Sequence, residues 1–587
     1  MSDRTITLRI DGMTCLDCAR TLEGALARID GVRRAEVSYG AKRGTVTVDE
    51  SAGPEQLLPR LLQAVEASGY RGAPAGASDT SQAGSGDVPS SPIARGPASR
   101  SVPAAGGPSG GDGADYDLVI IGTGAAGVAA AIRASELGAT AAIIEGADVV
   151  GGTCVNVGCI PSKNLIEAAQ QYHTARVGFP GIAPCEPQLA WEQVLRQKRE
   201  IVTALRREKY LDVLNAYEGV TLVRGRAELL GDGRVRVAER EVRARKEVRA
   251  RKIVVATGTR PAAPPIAGLG AVDALDSTTV MELERLPASL VVLGGGAIGL
   301  ELGQALRRFG VRVVVVEAME RILPTEIPDV SEVLTQALTA EGLEIHTGTL
   351  ATRVERTPAG VRVHVAQGSL SGTIEAERLL VATGRRPNVE GLALESAGAR
   401  TDARGYVVVD EYMRTANPDV LAAGDVTGAP GYVYVAALQG GIAAQTALAD
   451  RSTEGAIAAD LAVVPRVTFT DPQVATVGMS EAEARAAGLA PQVTTLSTRH
   501  LPRAVVSHRH HGSITLVSEA GTDRLLGAHL VMPHAGDVIG EAVLAVRFGL
   551  TARDLVSTLH PYLTWGEGLK LAAQTFTKDV AKLSCCA

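Results

Sequence analysis

Six of the seven cysteines in this 587-residue chain fall into three close pairs. Cys15 and Cys18 lie in Gly12-Met13-Thr14-Cys15-Leu16-Asp17-Cys18. Cys154 and Cys159 frame the stretch Gly151-Gly152-Thr153-Cys154-Val155-Asn156-Val157-Gly158-Cys159-Ile160-Pro161-Ser162-Lys163. Cys585 and Cys586 are adjacent. Paired sulfur does two kinds of chemistry, redox exchange and ligation of soft metal ions. In the central pair, Pro161 suits a first helical turn, where a missing N–H costs nothing. Cys159 is then placed at or just before a helix N-terminus, where the dipole favours a thiolate. Gly151, Gly152 and Gly158 permit tight backbone geometry and close approach of a flat ligand. The pair reads as a redox-active dithiol, against a competing reading of two buried, inert cysteines. The outer pairs read as ligands: two thiolates at a helix start can hold one soft ion, and adjacent cysteines suit such an ion better than a strained vicinal bridge. Cys185, the odd one, is expected to be structural.

The elements around the central pair sharpen its chemistry. Asp117–Ile121 reads as a buried strand, followed by Gly122-Thr123-Gly124-Ala125-Ala126-Gly127, a helix through about Leu137, and a strand Ala141–Ile144 ending at Glu145. This order is a complete dinucleotide fingerprint. Gly122, Gly124 and Gly127 bring a pyrophosphate to the helix N-terminus, and Glu145 accepts hydrogen bonds from a ribose. The pattern recurs: Leu290–Leu293, then Gly294, Gly296 and Gly299, a helix to about Phe309, and Val311–Val316 ending at Glu317. Ala256-Thr257-Gly258 and Ala382-Thr383-Gly384 each close an apolar strand. Ala422-Ala423-Gly424-Asp425 closes another, with a carboxylate suited to a ribityl chain. Two dinucleotide folds with a dithiol shortly after the first predict a two-cofactor oxidoreductase, with FAD in the first and NADH or NADPH in the second. Gly152, Thr153, Thr257, Gly258, Asp425 and Gly384 complete the expected cofactor-binding set.

Residues 1–72 predict a separate α+β unit. Thr5–Ile10 alternates as a strand. Cys18–Ile29 has helical spacing, with Leu22, Ala25, Leu26 and Ile29 on one face. Val32–Tyr39 and Gly44–Val48 form a hairpin, and Gln56–Ala67 a second helix. The loop from first strand to first helix carries Cys15 and Cys18. A thioredoxin-type redox pair is the alternative, but it needs a larger fold around it. Residues 73–113, rich in Gly, Pro, Ser and Ala, bury too little to fold and predict a tether with a reach of about 35 Å.

Bulk properties exclude some functions. The net charge is −6, 45% of residues are hydrophobic and 3% are aromatic, so no basic, aromatic-laced surface points to nucleic acid. The tandem repeat within Arg240–Lys252 is expected to be a solvated hairpin or strand edge. His508, His510 and His511 are expected in an exposed loop. The first residues lack an apolar signal core, and no long apolar run predicts membrane insertion. The expected location is cytoplasmic.

Together these motifs place the segment from residue 115 onward as similar to the flavin disulfide-reductase family, and Gly12–Cys18 as similar to heavy-metal-associated domains. The implied fold class is α/β: two Rossmann-like domains and an α+β dimerisation domain, preceded by a βαββαβ ferredoxin-like domain. Implied boundaries are 1–72 for the metal-binding domain, 114–270 and 386–460 for the FAD domain, 271–385 for the nicotinamide domain and 461–587 for the interface domain. The resemblance implies a homodimer with shared active sites. It makes Cys159 the thiolate against the flavin, Cys154 the interchange thiol, and Lys163 and Glu301 a pair near flavin N5. The stretch His560-Pro561-Tyr562-Leu563-Thr564, with Cys585 and Cys586 and the fused domain, resembles the mercuric reductases within that family. That branch implies reduction of Hg(II) to Hg(0), with Cys15 and Cys18, then Cys585 and Cys586, then Cys154 and Cys159 passing the metal as thiol complexes, and Tyr562 assisting. Three positions depart from the pattern. Ala274 stands where that branch carries a second tyrosine. His560 resembles the acid/base histidine of dihydrolipoamide dehydrogenases, with Glu567 two residues beyond the expected partner acid. Glu317 favours NADH where the branch more often uses NADPH, with Arg321 nearby, so the nicotinamide preference stays open. A dihydrolipoamide-type reductase and a metal-trafficking protein are the alternative functions.

Overall fold

The computed structural model describes residues 4–11, 16–38, 43–48, 54–67, 70–74, 114–238 and 245–582. They form two compact units, divided between Ala105 and Gly106.

The first unit runs β1 (Arg4–Asp11), α1 (Leu16–Ala27), β2 (Val32–Ser38), β3 (Arg43–Val48), α2 (Pro54–Ala67) and β4 (Arg71–Pro74). Its sheet order is β2-β3-β1-β4, all antiparallel, which is the expected ferredoxin-like arrangement. Alternation in β3 sends Val46 and Val48 inward, onto Leu22 and Leu26 of α1 and Leu57, Leu61 and Val65 of α2. Pro59 removes one backbone bond inside α2, yet the helix persists. Each of its buried leucines contributes about 1.5–3 kcal/mol of burial, enough together to hold it. β4 extends the unit past residue 72: Ala73 and Pro74 pair with Arg9 and Leu8, so these two residues leave the stretch expected to be tether. Residues 75–113 lie outside those described.

The second unit begins with β5 (Tyr116–Ile121), α3 (Ala125–Glu136), β6 (Ala141–Glu145), α4 (Gly152–Val157), α5 (Cys159–Val177) and α6 (Trp191–Arg206). A π-helical turn, Arg207–Leu211, joins α6 to α7 (Asp212–Ala216). Next come β7 (Val220–Arg224), β8 (Arg226–Gly231), β9 (Arg234–Ala238), β10 (Arg245–Val255) and β11 (Thr259–Pro261). The nicotinamide-type half follows with β12 (Ser289–Leu293), α8 (Ala297–Arg308), β13 (Arg312–Val316), α9 (Pro328–Ala340), β14 (Glu344–His346), β15 (Leu350–Thr357), β16 (Gly360–Gln367), β17 (Leu370–Ala376) and β18 (Arg378–Val381). The chain returns through β19 (Arg385–Pro387), β20 (Val420–Ala422) and α10 (Val433–Ala447). It ends with β21 (Arg466–Thr468), β22 (Gln473–Gly478), α11 (Glu481–Ala486), β23 (Pro491–Ser497), α12 (Pro502–Val506), β24 (Ser513–Glu519), β25 (Leu525–Met532), α13 (Ala535–Arg547), α14 (Ala552–Ser557) and α15 (Glu567–Gln574).

Among the described residues this unit has five sheets, two of them small, β11-β19 and β15-β16-β17; the other three carry the fold. In the first, β7-β6-β5-β10-β20 are parallel, and β9 and β8 continue antiparallel from β10. The second, β14-β13-β12-β18, is parallel throughout. Val313 to Val316 and Leu290 to Leu293 are buried without alternation, as strands covered on both faces must be. The third, β21-β22-β25-β24-β23, is antiparallel.

Two expectations change here. The second copy of the basic repeat enters β10, which forms the expected hairpin with β9 and then runs on as a central strand, paired with β5 and β20, rather than as a strand edge. Val248 and Ala250 point into the core while Glu247, Arg249 and Arg251 face water, so the period-2 pattern hides a core strand under its charge. Residues 241–244, in the first copy, lie outside the described residues. Cys185 is exposed and its Sγ lies 3.6 Å from the Ala175 carbonyl, so it has no core role.

Candidate active site

The dithiol spans the junction of two helices, with Cys154 inside the six-residue α4 and Cys159 opening the 19-residue α5. Gly151 and Gly152 adopt positive φ, 103° and 62°, to turn the chain from β6 into α4. A Cβ on Gly152 would lie 2.6 Å from Gly124 Cα, so the dithiol segment and the first glycine loop meet backbone to backbone. A side chain at Gly158 would press within 3.3 Å of Cys154 Cα. α5 then starts at Cys159, as its spacing from Pro161 predicts. Cys154 is half-buried and Cys159 exposed. The Cys159 thiol is pulled down to about 6, chiefly by a hydrogen bond from the Cys154 thiol, then by the Lys163 ammonium one turn along α5. Cys154 moves the opposite way, because it supplies that hydrogen bond and is buried beside a thiolate. The pair therefore holds one proton, on Cys154, and presents Cys159 as the nucleophile and soft ligand at neutral pH.

Lys163 Nζ donates to Glu301 Oε2 at 2.6 Å, which brings the two sequence-predicted residues together from α5 and α8. Glu301 is buried, and its other oxygen accepts the Phe469 N–H at 2.8 Å. The ammonium also lies 4.6 Å from the centre of the Phe469 ring. One lysine thus supports the thiolate while it pins α5 to α8.

Both glycine loops fit the cofactors expected of them. α3 and α8 start on glycine N-caps, Gly124 and Gly296, with no side chain to cap the first-turn N–H groups. Space is open at both: a Cβ on Gly124 meets only Gly152 Cα at 3.8 Å, and one on Gly296 meets nothing within 4 Å. Gly127 and Gly299 serve packing instead, since a Cβ there would strike the Gly122 or Gly294 carbonyl oxygen at 1.9 and 2.1 Å. Glu145 accepts from the Thr123 hydroxyl and, at 2.6 Å, from Ala147 N–H. Glu317 accepts from Gly295 N–H at 2.6 Å and Met319 N–H at 2.8 Å. Asp425 accepts from the Thr259 hydroxyl at 3.0 Å, and that hydroxyl accepts from Arg385 Nε at 2.8 Å. Thr257 and Gly258 are tied to Asn388, whose side-chain amide donates to the Thr257 carbonyl at 2.9 Å. Gly384 takes φ 143° at the turn into β19.

Some partners carry no motif. Asn156 donates to the Val150 and Gly152 carbonyls at 2.8 and 2.9 Å and accepts from Arg206 Nε at 2.7 Å, so α6 clamps the loop between the cysteines. Tyr210, in the π-helical turn that follows, is pushed up to about 12 by burial and by the two nearby cysteines. π-Helical turns gather at functional sites, but nothing in sequence periodicity marks this one. His560 finds its acid on α13: Nε2 lies 2.6 Å from Glu541 Oε1. Glu567 is buried and accepts from Leu563 N–H at 3.3 Å instead. Ala274 packs against the core of the nicotinamide half. Tyr562 is half-exposed on the loop before α15. His508, His510 and His511 are exposed as expected, and no group of three or more His, Cys, Asp or Glu among the described residues is placed to hold a metal. Cys18 falls in α1; Cys15, Cys585 and Cys586 lie outside the described residues.

A low-pKa dithiol wedged against the first of two open dinucleotide loops defines a disulphide oxidoreductase with two nucleotide sites. Residues 116–440 match the pyridine nucleotide-disulphide oxidoreductase model, and the chain belongs to that family. Residues 464–573 match its dimerisation domain and 7–71 the heavy-metal-associated domain. The chain is 39% identical over 588 residues to a mercuric reductase of Staphylococcus aureus, which covers both chains completely. It is 45% identical over 475 residues to a mercuric reductase of Streptomyces lividans, covering 80% of this chain and 98% of that one. Among solved structures it resembles the Cu(II) complex of the HOCl-induced flavoprotein disulfide reductase RclA from Escherichia coli, with TM-score 0.70, 30% identity, and coverage of 79% of this chain and 99% of that one. LpdA from Mycobacterium tuberculosis aligns with TM-score 0.69 and 29% identity, over 78% of this chain and 99% of that one.

Proposed function

We propose that this protein is a mercury(II) reductase, which uses NAD(P)H and FAD to convert Hg(II) to Hg(0) in mercury detoxification. The observation that carries this reading is the exposed Cys159 thiolate, held at about 6 beside the protonated Cys154. Such a thiolate enters the coordination sphere of a thiol-bound Hg(II) and displaces one ligand without free metal being released. Cys154 then gives up its proton and completes a two-sulfur site. FAD, when bound, carries the electron pair from the nicotinamide to the site. The balance is Hg(SR)2 plus NAD(P)H plus a proton giving Hg(0), two thiols and NAD(P)+. The cysteines are not oxidised, so a Cys154–Cys159 disulfide is an off-pathway state.

The remaining residues take supporting roles. Lys163 keeps Cys159 charged, and Glu301 orients Lys163. Cys585 and Cys586 of one subunit receive Hg(II) from Cys15 and Cys18 or from small thiols and deliver it to the other subunit, with Tyr562 at that entrance. This relay requires a homodimer with shared sites, in the cytoplasm where thiols stay reduced. The chain divides at the boundaries given above, apart from the extension of the first domain to Pro74.

A dihydrolipoamide-type activity is favoured by one observation, the His560–Glu541 pair at 2.6 Å. The discriminating experiment measures Hg(II)-dependent NAD(P)H oxidation in excess thiol beside lipoamide turnover, for wild type and Cys585→Ala/Cys586→Ala. Mercury turnover that falls in the double variant is the expected result. Lipoamide turnover without mercury turnover refutes the assignment, and a double variant equal to wild type with bulky thiol complexes refutes the relay.

A further inference from the structure

We propose that the outward face of the β8-β9-β10 sheet is a peripheral docking surface for an anionic phospholipid bilayer, read through its headgroup phosphates. Residues 224–252 hold eleven Lys and Arg against five Asp and Glu, in a chain whose net charge is −6. Nine of the eleven are arginine, whose planar fork grips a phosphate through two parallel bonds. Val235, Val237 and Val248 turn into the core and fix the inner face. The alternate positions of the three strands therefore stand outward.

Register arranges these outward residues in rows. Glu228, Arg236 and Glu247 share one row. Both carboxylates converge on Arg236, whose Nη1 lies 2.9 Å from Glu228 Oε2 and Nη2 3.8 Å from Glu247 Oε1. The strands thus commit both outward acids to a single arginine. In the next row Arg234 stands directly opposite Arg249. Like charges opposed across two strands are destabilising, so folding alone gives no reason for this pair. Arg251, one step further along the same face of β10, reaches Asp117 and Asp450 only at 3.5 and 3.7 Å. Among the described residues, the guanidinium groups of Arg226, Arg234 and Arg249 have no acidic partner. The second copy of the tandem repeat supplies Arg249 and Arg251, so the duplication enlarges this face.

Shape and composition choose the occupant. The face spans about 10 Å across three strands and about 14 Å from Glu247 to Arg251 along β10, so its cations meet several headgroups at once. It is a sheet surface, and residues 224–252 contain no Phe, Tyr or Trp, so it lacks the stacking platforms on which nucleic-acid bases lie. No helix among the described residues is long and apolar enough to cross a membrane, which makes the contact electrostatic and peripheral.

The test is sedimentation of the full-length, flavin-loaded protein with phosphatidylcholine vesicles and with vesicles in which a third of the lipid is phosphatidylglycerol. Wild type should pellet with the anionic vesicles at about 50 mM NaCl, leave them at about 500 mM and ignore the neutral ones. Arg234→Glu should weaken anionic-vesicle binding about thirtyfold, since it removes one cation and adds one anion. It also sets a carboxylate opposite Arg249, so its melting temperature should equal or exceed that of wild type. If it melts lower, Arg249→Glu carries the same test. Arg353→Glu makes the same charge change at an exposed site on β15 and should bind within about twofold of wild type. Failure of wild type to bind anionic vesicles overturns the proposal, and so does equal loss in Arg353→Glu, which would assign binding to net charge. Displacement by inorganic phosphate at constant ionic strength would reduce the face to a small-anion site and overturn the bilayer. Duplex DNA bound more tightly than the vesicles at the same salt would overturn it in favour of nucleic acid. Mercury turnover enters none of these readouts, so the docking surface and the proposed function fail separately.

Discussion

The two glycine loops of the second unit share a backbone plan and differ at two positions, Thr123 against Gly295 and Ala126 against Ile298. In each, a buried glutamate stands at or directly after the end of the second strand and accepts the N–H two residues on, at Ala147 or Met319. Each glutamate is 8% exposed, so burial does not separate them. The difference at the glutamate lies after the first glycine. Thr123 places a hydroxyl on Glu145 and accepts the Gly151 N–H at 2.9 Å. Gly295 can offer Glu317 only its backbone N–H. In the first loop, one hydroxyl connects Glu145 to the turn that precedes Cys154. In the second, the acid is fixed and the loop carries no such link to the dithiol. The first arrangement suits a resident cofactor that must hold register with two sulfurs. The second suits a cosubstrate that enters and leaves.

If that division is right, damage to one loop should not spread to the other. Cys159→Ser gives the largest effect. It removes the thiolate while leaving the second loop whole, so mercury-dependent oxidation should fall by more than about 10³-fold. ADP-ribose affinity measured by calorimetry should stay within about twofold. Coupled loss of both would break the comparison.

Lys163→Met probes the one described ion pair that joins α5 to α8, the helix of the second loop. The Cys159 thiol lies below its ordinary value, so its thiolate is present above about pH 6 and lost as pH falls through it. Removing the ammonium should raise that midpoint. Mass-resolved alkylation of Cys159 at pH 7 should then slow several-fold, up to about thirtyfold if the thiol returns to about 8.5. An unchanged midpoint would assign the shift to Cys154 alone.

Thr123→Ala and Gly295→Ala form a matched pair. Loss of the Thr123 hydroxyl strands a buried carboxylate oxygen and the Gly151 N–H, and should cost about 2 kcal/mol of thermal stability in the flavin-loaded protein. It should also speed flavin release. Gly295→Ala puts a methyl 3.1 Å from Glu317 Cβ and 3.0 Å from Ile322 Cγ2. It should weaken ADP-ribose binding about tenfold with flavin release unchanged. Equal effects of both variants on flavin release would erase the distinction between the loops.

What the sequence revealed follows from the range of each interaction. Both fingerprints were legible because each lies within one strand–turn–helix–strand unit, where glycine spacing and the closing glutamate are local. Cys159 at a helix start was legible from Pro161 for the same reason. The hairpin of β9 and β10 was legible, but the central place of β10 was not, because a run of charge masked its alternation and strand partners more than 100 residues away decide whether such a strand is central or edge. Glu541 was missed because His560 meets it from a different helix, 19 residues upstream. The pairing of Lys163 with Glu301 came from family resemblance; no local pattern joins residues 138 positions apart.

Arg206 is the smallest and most exacting test of the first loop, because it acts on the dithiol without touching sulfur. Its Nε holds Asn156 Oδ1 at 2.7 Å, and the same amide binds the carbonyls of Val150 and Gly152. Arg206→Ala leaves those two bonds in place and removes the outer one, so the loop should loosen rather than collapse. The expected cost is about 1 kcal/mol in thermal unfolding. Arg206→Lys should recover part of that, since an ammonium can reach the amide oxygen but lacks the guanidinium's fixed geometry. A structural role alone predicts a lower melting temperature with the Cys159 alkylation midpoint still near 6. A role in aiming the sulfurs predicts that the midpoint rises as well, because the Cys154–Cys159 hydrogen bond is the main cause of the low value and depends on the loop that Asn156 fixes. ADP-ribose binding at the second loop should not respond to either variant.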